Sequence, residues 1–482
     1  MSTKRNLSIN FLTQLSGKAV SIVIGLILTV ILARALGDSL YGEYTTAITF
    51  LQLFGVIVDF GLTLTLAVML SNKGANQEKV AGNIFGLRMT SAIIMFSLAP
   101  LMALPFPWSG NVRLGILIGA GAYICMAGAT MLIGVFQKHG SMWRASLAEV
   151  ISRFVLLALF ALCAWLGFGM LPMIGSMIIA NLIWLVLMIY FAKNFVRIVP
   201  RFDWNVWKDA LSQSWPIAVS IIFNLLYLKG DVLFLASFRE STEVGWYGLA
   251  YRLIDMVTTI PTMFMGLMLP TLVADWSKNK KVEFSGHLKA TFAFFWIIAC
   301  PIVAGIQIVA EPFVELVVGS DYAPAASVLK LLVWAVPGVF LGALYGHAVI
   351  ALKKQKTMIL AFVAVAIITI IGYLIFIPKY GMYGAAAMTI TSETLIAFLG
   401  WFLVFKTSKM NTLTFLPLKT IAAAGIMWFT LAQFPNTSIF LLIPAGAIIY
   451  SAILFITGAA NKKQLLLLYP EKPSAENPAI TP

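Results

Sequence analysis

Apolar stretches long enough to cross a lipid bilayer recur from residue 7 to residue 457, separated only by short polar breaks. One crossing helix needs about 20 predominantly apolar residues. The runs fall near 7–33, 41–71, 81–104, 111–137, 142–168, 171–195, 208–237, 243–275, 283–310, 325–352, 356–377, 381–406, 415–434 and 437–457. The pattern predicts an all-α polytopic membrane protein of about 14 transmembrane helices. Composition agrees: 60% of residues are hydrophobic and 11% charged, and the mean hydropathy is +0.93, whereas a soluble domain carries about 25% charged residues. No room is left for a large soluble domain. After Lys4 and Arg5 the first apolar stretch runs to about Leu32 without a short core and a small-residue cleavage site, so it is read as a retained helix rather than a signal peptide.

Cys125, Cys163 and Cys300 are isolated within apolar runs, and His139, His287 and His347 are scattered. The chain has neither a CxxC pair nor an HExxH helix, and no GxxxxGK[ST] loop to cradle a nucleotide phosphate. Zinc chemistry and direct ATP hydrolysis are not expected, and no cofactor or metal is called for.

The formal charge of +14 would suggest nucleic acid in a soluble protein, so its distribution decides. Lys4 and Arg5, Lys73 and Lys79, Lys138 and Arg144, Lys193, Arg197 and Arg201 occupy alternate connections. They are followed by Lys278, Lys280 and Lys281, Lys353, Lys354 and Lys356, Lys406 and Lys409, then Lys462 and Lys463. The opposite connections carry little beyond Arg34, Arg113, Arg239 and Lys379. Because cytoplasmic loops hold the Lys/Arg excess, both termini are expected in the cytoplasm, and nucleic acid is not a partner. The polar, proline-containing end, residues 461–482, is expected to be a disordered cytoplasmic tail.

Two segments about 200 residues apart resemble each other. Gln14 and the AVSIVIGL run from Ala19 match Gln213 and AVSIIFNL from Ala218, and Gly42-Glu43-Tyr44 with Ala47 match Gly245-Trp246-Tyr247 with Ala250. Six helices per copy is an even number, which predicts parallel copies related by an axis along the membrane normal. The expected organisation is an N-terminal six-helix bundle (1–200), a C-terminal six-helix bundle (201–410) facing the first around a central cavity, and two additional helices (411–460).

ARALGDSLYGEY at 33–44, AEPFVELVVGSDYAPAASVLKLL from Ala310, ALKKQK at 351–356 and IPKYGMYGAAAMTITSE from Ile377 resemble the polysaccharide-export and O-antigen flippases of the multidrug/oligosaccharidyl-lipid/polysaccharide superfamily. The resemblance covers essentially residues 1–457. It implies a fourteen-helix carrier of polyprenyl-diphosphate-linked oligosaccharide in a bacterial cytoplasmic membrane, serving cell-surface polysaccharide synthesis and not acting as an enzyme. Its partners would be that cargo, membrane lipid and other membrane proteins of polysaccharide assembly. A cation-coupled multidrug exporter, a lipid-II flippase and, in another class, a membrane-embedded polysaccharide polymerase or ligase are the rivals. Short outward connections weigh against the last.

Polar groups deep in a bilayer are costly, from about 2.5 kcal/mol for a charge, and mark function by default. On the first helix Asn10, Gln14, Gly17, Lys18, Ser21, Gly25 and Thr29 share a face at 100° per residue, and Lys18 lies near mid-membrane. Gln213, Ser220, Asn224, Tyr227 and Asp231 repeat the stripe on the seventh. On the eighth, Tyr247, Tyr251, Asp255, Thr258 and Thr262 align, and Arg252 is within reach of Asp255. Arg88 and Asp59 are expected to serve the cavity or each other, and Glu149 and Arg153 to satisfy one another. For a diphosphate cargo, Lys18, Arg88 and Arg252 would offset charge, and Asn10, Gln14, Asn224, Tyr247 and Tyr251 would hold sugar. Glu393, with no basic residue between Lys379 and Lys406 on its helix, is the first candidate for ion coupling, followed by Asp255, Asp59 and Asp231.

Overall fold

The computed structural model describes residues 2–71, 76–411, 415–435 and 437–459, and the predicted tail lies outside them. Side chains of residues 2–16, 18, 19, 64, 71 and 216–228 also lie outside the described residues. Among the described residues the chain is helical and has no strand.

The first compact unit covers residues 1–248. It contains α1 (Ser2–Asp59), α2 (Leu62–Ser71), α3 (Gln77–Met102), α4 (Gly110–Met131), α5 (Ile133–Lys138), α6 (Met142–Trp165), α7 (Met170–Ala192), α8 (Trp204–Phe238) and the start of α9 (Ser241–Ser277). The second covers residues 249–482 and takes the rest of α9, α10 (Lys281–Val318), α11 (Ala323–Leu332), α12 (Val336–Ala351), α13 (Gln355–Ser408), α14 (Leu416–Ala432) and α15 (Ile439–Ile456).

Ten helices among the described residues are long and apolar enough to cross a membrane, and α14 is a shorter apolar helix. Two of the ten cannot be single straight crossings. At 1.5 Å per residue, α1 and α13 would run to more than about 80 Å, against a hydrocarbon core of about 30 Å. Each bends at a glycine, Gly37 (φ 70, ψ 175) in α1 and Gly381 (φ 55, ψ −133) in α13, conformations that a Cβ would oppose. Gly37 falls in the gap read from the sequence between 33 and 41, and Gly381 stands at the first residue of the run 381–406. The expected continuous helix 41–71 is instead broken, because Phe60 (φ 46) and Gly61 (φ 76) end α1 at Asp59 before α2 begins. The expected 111–137 likewise divides at Leu132 into α4 and α5, and 325–352 into α11 and α12 around a 3-10 turn.

Packing inside each unit uses small residues and aliphatic side chains. In the first, Leu62, Leu66, Ile84, Phe85, Leu132, Phe136, Ala148 and Met188 form one buried cluster. Tyr123 donates to the Ile48 carbonyl (3.3 Å) and Ser152 to that of Ala180 (2.8 Å), tying α4 to α1 and α6 to α7. In lipid, where apolar burial gives little drive between helices, such contacts and hydrogen bonds carry association. The second unit packs α14 and α15 onto α10 through Cys300, Ala423, Ala424, Met427 and Tyr450, whose hydroxyl donates to the Ile297 carbonyl (3.0 Å). Leu101, Leu117, Val186, Ile371, Leu374 and Phe440 are exposed, as lipid-facing residues should be.

Candidate functional site

The break between α1 and α2 creates the best-defined polar site. Asp59 is the last residue of α1, about 27 Å along the helix from Tyr41. Its Oδ1 accepts a hydrogen bond from Thr63 on α2 (2.8 Å) and lies 3.1 Å from Arg88 NH1. Arg88 sits eleven residues into α3, about 16 Å by helical rise, deep in the bundle. Its side chain is 3% exposed and that of Asp59 29%. The arginine Nε donates to the Ala127 carbonyl (3.2 Å), and NH2 reaches the Thr130 hydroxyl at 3.5 Å.

NH1 is within ion-pair range of Asp59 but completes no hydrogen bond. A buried guanidinium nitrogen with an unmade bond beside a cavity is an anion-binding feature, because arginine's planar fork suits carboxylate and phosphate. The cavity holds about 450 Å³ and is lined by Gln52, Gly55, Val56, Asp59, Arg88, Tyr123, Met126, Ala127 and Thr130. Interrupted membrane helices place polar chain ends at binding sites in this way, and a helix C-terminus favours a nearby cation.

Of the residues expected to act, the structure brings Asp59 and Arg88 together. Asp231 and Tyr247 form a second group in the same unit. Both are fully buried, the tyrosine hydroxyl donates to Asp231 Oδ2 (2.5 Å), and Oδ1 accepts from the Val232 amide (2.8 Å). A carboxylate held by these donors is a helix-locking group as much as an ion site. Tyr251, Arg252, Asp255 and Glu393 belong to the second unit. The expected Arg252–Asp255 contact is not formed among the described residues. Arg252 is exposed and Asp255 half-buried, and an i,i+3 spacing permits such a contact without requiring it. Glu393 is 5% exposed, and its backbone and Cβ pack against Gly338 of α12, where an added Cβ would come within 3.0 Å. The backbone of α1 and α8 includes Asn10, Gln14, Lys18 and Asn224, but their side chains lie outside the described residues.

Glu149 and Arg153 pair at 3.9 Å, as their spacing suggested. Gln52, Thr63, Tyr123 and Thr130 were not singled out in the sequence. Thr63 gave no signal of its own, because the run from 41 to 71 reads as one continuous helix in the sequence.

The relatives of this chain point in one direction. A flippase described as "Probable low-salt glycan biosynthesis flippase Agl15", from Haloferax volcanii, is 24% identical over 378 residues, 75% of each chain. The "Succinoglycan biosynthesis transport protein ExoT" of Rhizobium meliloti is 23% identical over 309 residues, 63% of this chain and 60% of that one. Among solved structures, the lipid II flippase MurJ in an inward closed conformation superposes with a TM-score of 0.76 at 17% identity, covering 92% of this chain and 98% of that one. An inward-facing multidrug resistance MATE family transporter gives 0.67 at 14% identity, over 83% and 98%. These two show the fold. The family described as "Polysaccharide biosynthesis protein" matches residues 31–327, more than half of the sequence, and the chain belongs to that family.

Proposed function

We propose that the protein is a flippase that moves a polyprenyl-diphosphate-linked oligosaccharide across the cytoplasmic membrane by alternating access, for cell-surface polysaccharide synthesis. The observation that carries this reading is Arg88, buried at the α1–α2 break beside a cavity, with one guanidinium nitrogen still short of a hydrogen bond. A diphosphate stripped of water in hydrocarbon needs its hydration replaced, and charge-assisted bonds from arginine supply it. Asp59 holds the guanidinium when cargo is absent, and the incoming phosphate competes with that carboxylate for the same nitrogen. Ligand binding and release thereby exchange one partner of Arg88 for another, and switching requires that the two carrier states favour different partners. The names of the glycan flippase and the succinoglycan transport protein support this choice of cargo class.

Lys18 and Arg252 are proposed to share the diphosphate charge, and Asn10, Gln14, Asn224, Tyr247 and Tyr251 to contact sugar. Fourteen spans in two parallel bundles plus two helices, and both termini in the cytoplasm of a bacterial cell, complete the reading. The test is a reconstituted flipping assay with a fluorescent polyprenyl-diphosphate oligosaccharide. Arg88→Gln should slow flipping at least about tenfold, the loss of one charge-assisted contact, while the variant inserts and purifies normally. Wild-type flipping by a well-folded Arg88→Gln protein refutes the assignment.

A further inference from the structure

The connections at the start of α6 and the end of α7 carry a group of cations, and the acids that follow each stretch are paired with other cations, Glu149 with Arg153 and Asp203 with Lys79. Residues 133–148 contain Lys138, His139 and Arg144, residues 170–202 contain Lys193, Arg197 and Arg201, and neither stretch has an Asp or Glu. Lys138 is committed to structure, since its ammonium donates to the Leu70 carbonyl at the end of α2. His139 and Arg144 are not committed in this way. The His139 ring stacks on Phe195 at 4.7 Å with an interplanar angle of 15°, and the Arg144 guanidinium lies over the same ring at 4.8 Å and over Trp143 at 5.3 Å. His139 Nε2 and Arg144 NH1 are both shielded from water and bonded to nothing among the described residues.

The helix itself adds positive potential. Arg144 stands in the first turn of α6, which has no acidic residue, and the N-cap Ser141 makes no side-chain capping bond. A cation in that position opposes the helix dipole, and a helix N-terminus with free amides attracts phosphate. Burial and the adjacent Lys138 hold the His139 imidazole below its ordinary titration range, so near neutral pH the ring is uncharged and offers a single N–H. Trp143, 42% exposed, matches the amphipathic rings that settle at headgroup depth.

We propose that His139 and Arg144, on the Phe195 platform at the start of α6, bind the phosphate group of an anionic membrane lipid. Two lipids offer that chemistry at this depth, a bulk anionic phospholipid and a prenyl phosphate of the cargo class. The site is separate from Arg88 and stands whatever the protein carries, so its failure and the failure of the flippase reading are distinguishable.

The experiment is native mass spectrometry of the full-length protein in non-ionic detergent, titrated with phosphatidylglycerol, phosphatidylcholine and farnesyl diphosphate. The expected result is that phosphatidylglycerol is retained about tenfold better than phosphatidylcholine, the scale of one charge-assisted contact, and that Arg144→Ala brings the ratio near one. Arg144→Lys, which keeps a point charge but not the fork, should fall between. Farnesyl diphosphate binding more tightly than phosphatidylglycerol, with the same loss in Arg144→Ala, assigns the site to the prenyl carrier; the reverse order assigns it to bulk lipid. No preference for either anionic lipid over phosphatidylcholine, or a preference that survives Arg144→Ala, overturns the proposal. Should the alanine variant not fold, an unchanged ratio in both Arg144→Lys and His139→Gln overturns it equally.

Discussion

Gly42 and Gly245 pack against one another so closely that a Cβ on Gly42 would strike the carbonyl oxygen of Ser241, and one on Gly245 would strike that of Asp38. The two glycines occupy matching places in the repeated sequence, and each meets the residue four positions before the other. Such reciprocity is what a local two-fold relation produces, residue i touching j while j touches i. One turn on, Gly248 meets Thr45, with 3.3 Å between the threonine Cβ and a Cβ placed on the glycine, close to the Cβ separation of a disulfide. In a background without Cys125, Cys163 and Cys300, Thr45→Cys with Gly248→Cys should cross-link under mild oxidation. If transport separates these helix ends, the oxidised protein should lose flipping and regain it on reduction. Efficient cross-linking with undiminished flipping would show that this contact persists throughout the cycle.

The Asp59–Arg88 pair separates structure from function when its members are removed singly and together. Breaking a buried pair costs about 3–5 kcal/mol by leaving a charge without its partner, whereas replacing both can be neutral. Asp59 is 29% exposed, so the lower end applies. Arg88→Leu should lower the midpoint of thermal unfolding in detergent, and Arg88→Leu with Asp59→Asn should recover most of that loss. Flipping should stay absent in both. Recovery of flipping together with stability would mean that the pair only holds α1 to α3.

Asp203 joins the α7–α8 connection to α3. It caps α8 by accepting from the Asn205 amide (3.1 Å), pairs with Lys79 (2.8 Å), and its own amide donates to Asn83 Oδ1 (2.6 Å). The hydrogen bond from Lys79, chiefly, holds its carboxyl below the ordinary value of 3.8. A depressed carboxylate contributes stability above its unfolded value and loses it as pH falls through the folded one, so this connection should loosen only below about pH 3.8. Asp203→Asn keeps a capping oxygen and loses the charge; Asp203→Ala loses both. Unfolding midpoints at pH 7 should therefore rank wild type, Asn, Ala, and the gap between wild type and Asn should shrink in high salt. A salt-independent gap would remove the ion pair from the account.

Orientation is open to direct labelling. Single cysteines at Ser109 and Lys379, in the background without native cysteines, should react with a membrane-impermeant thiol reagent on intact cells. Those at Asn279 and Gln355 should react only after permeabilisation. The opposite pattern at either pair would overturn the assignment of the basic loops to the cytoplasm.

Helix positions were legible because apolar length is a strong signal in a chain that lipid solvates, and the glycine bends at Gly37 and Gly381 lie in or at the edge of short gaps between apolar runs. The break at Phe60–Gly61 was not legible, since the residues around it are apolar enough to continue a helix and only the backbone angles reveal the interruption. Spacing correctly joined Glu149 to Arg153, because an i,i+4 pair needs no information beyond its own helix. It did not suffice for Arg252 and Asp255, whose i,i+3 spacing permits a pair without requiring one. Arg88 and Asp59 could be flagged as deep charges able to meet, but the further bonds of Arg88 to Ala127 and Thr130 depend on α4 packing against α3, which no local pattern encodes. The aromatic setting of Arg144 escaped for the same reason, as Phe195 lies 51 residues further along the chain.

Glu393 offers the remaining test, which concerns energy rather than recognition. It lies 5% exposed on α13, beyond the Gly381 bend, with its backbone against Gly338 of α12. A carboxyl buried at that depth is a candidate for coupling transport to an ion gradient. If helix movement alters that burial, the two states of the carrier differ in proton affinity, and a proton gradient can then bias their populations. Glu393→Gln preserves shape and much of the hydrogen bonding while removing the titration. In proteoliposomes with an imposed or collapsed proton gradient, wild-type flipping should respond to the gradient and Glu393→Gln should flip at one rate under both conditions. Gly338→Val, which forces α12 and α13 apart without touching the carboxyl's chemistry, should instead lower stability and slow flipping while preserving the response to the gradient. An unchanged gradient response in Glu393→Gln would leave this carboxyl as a helix-packing group and move the search for coupling to Asp59, Asp231 and Asp255.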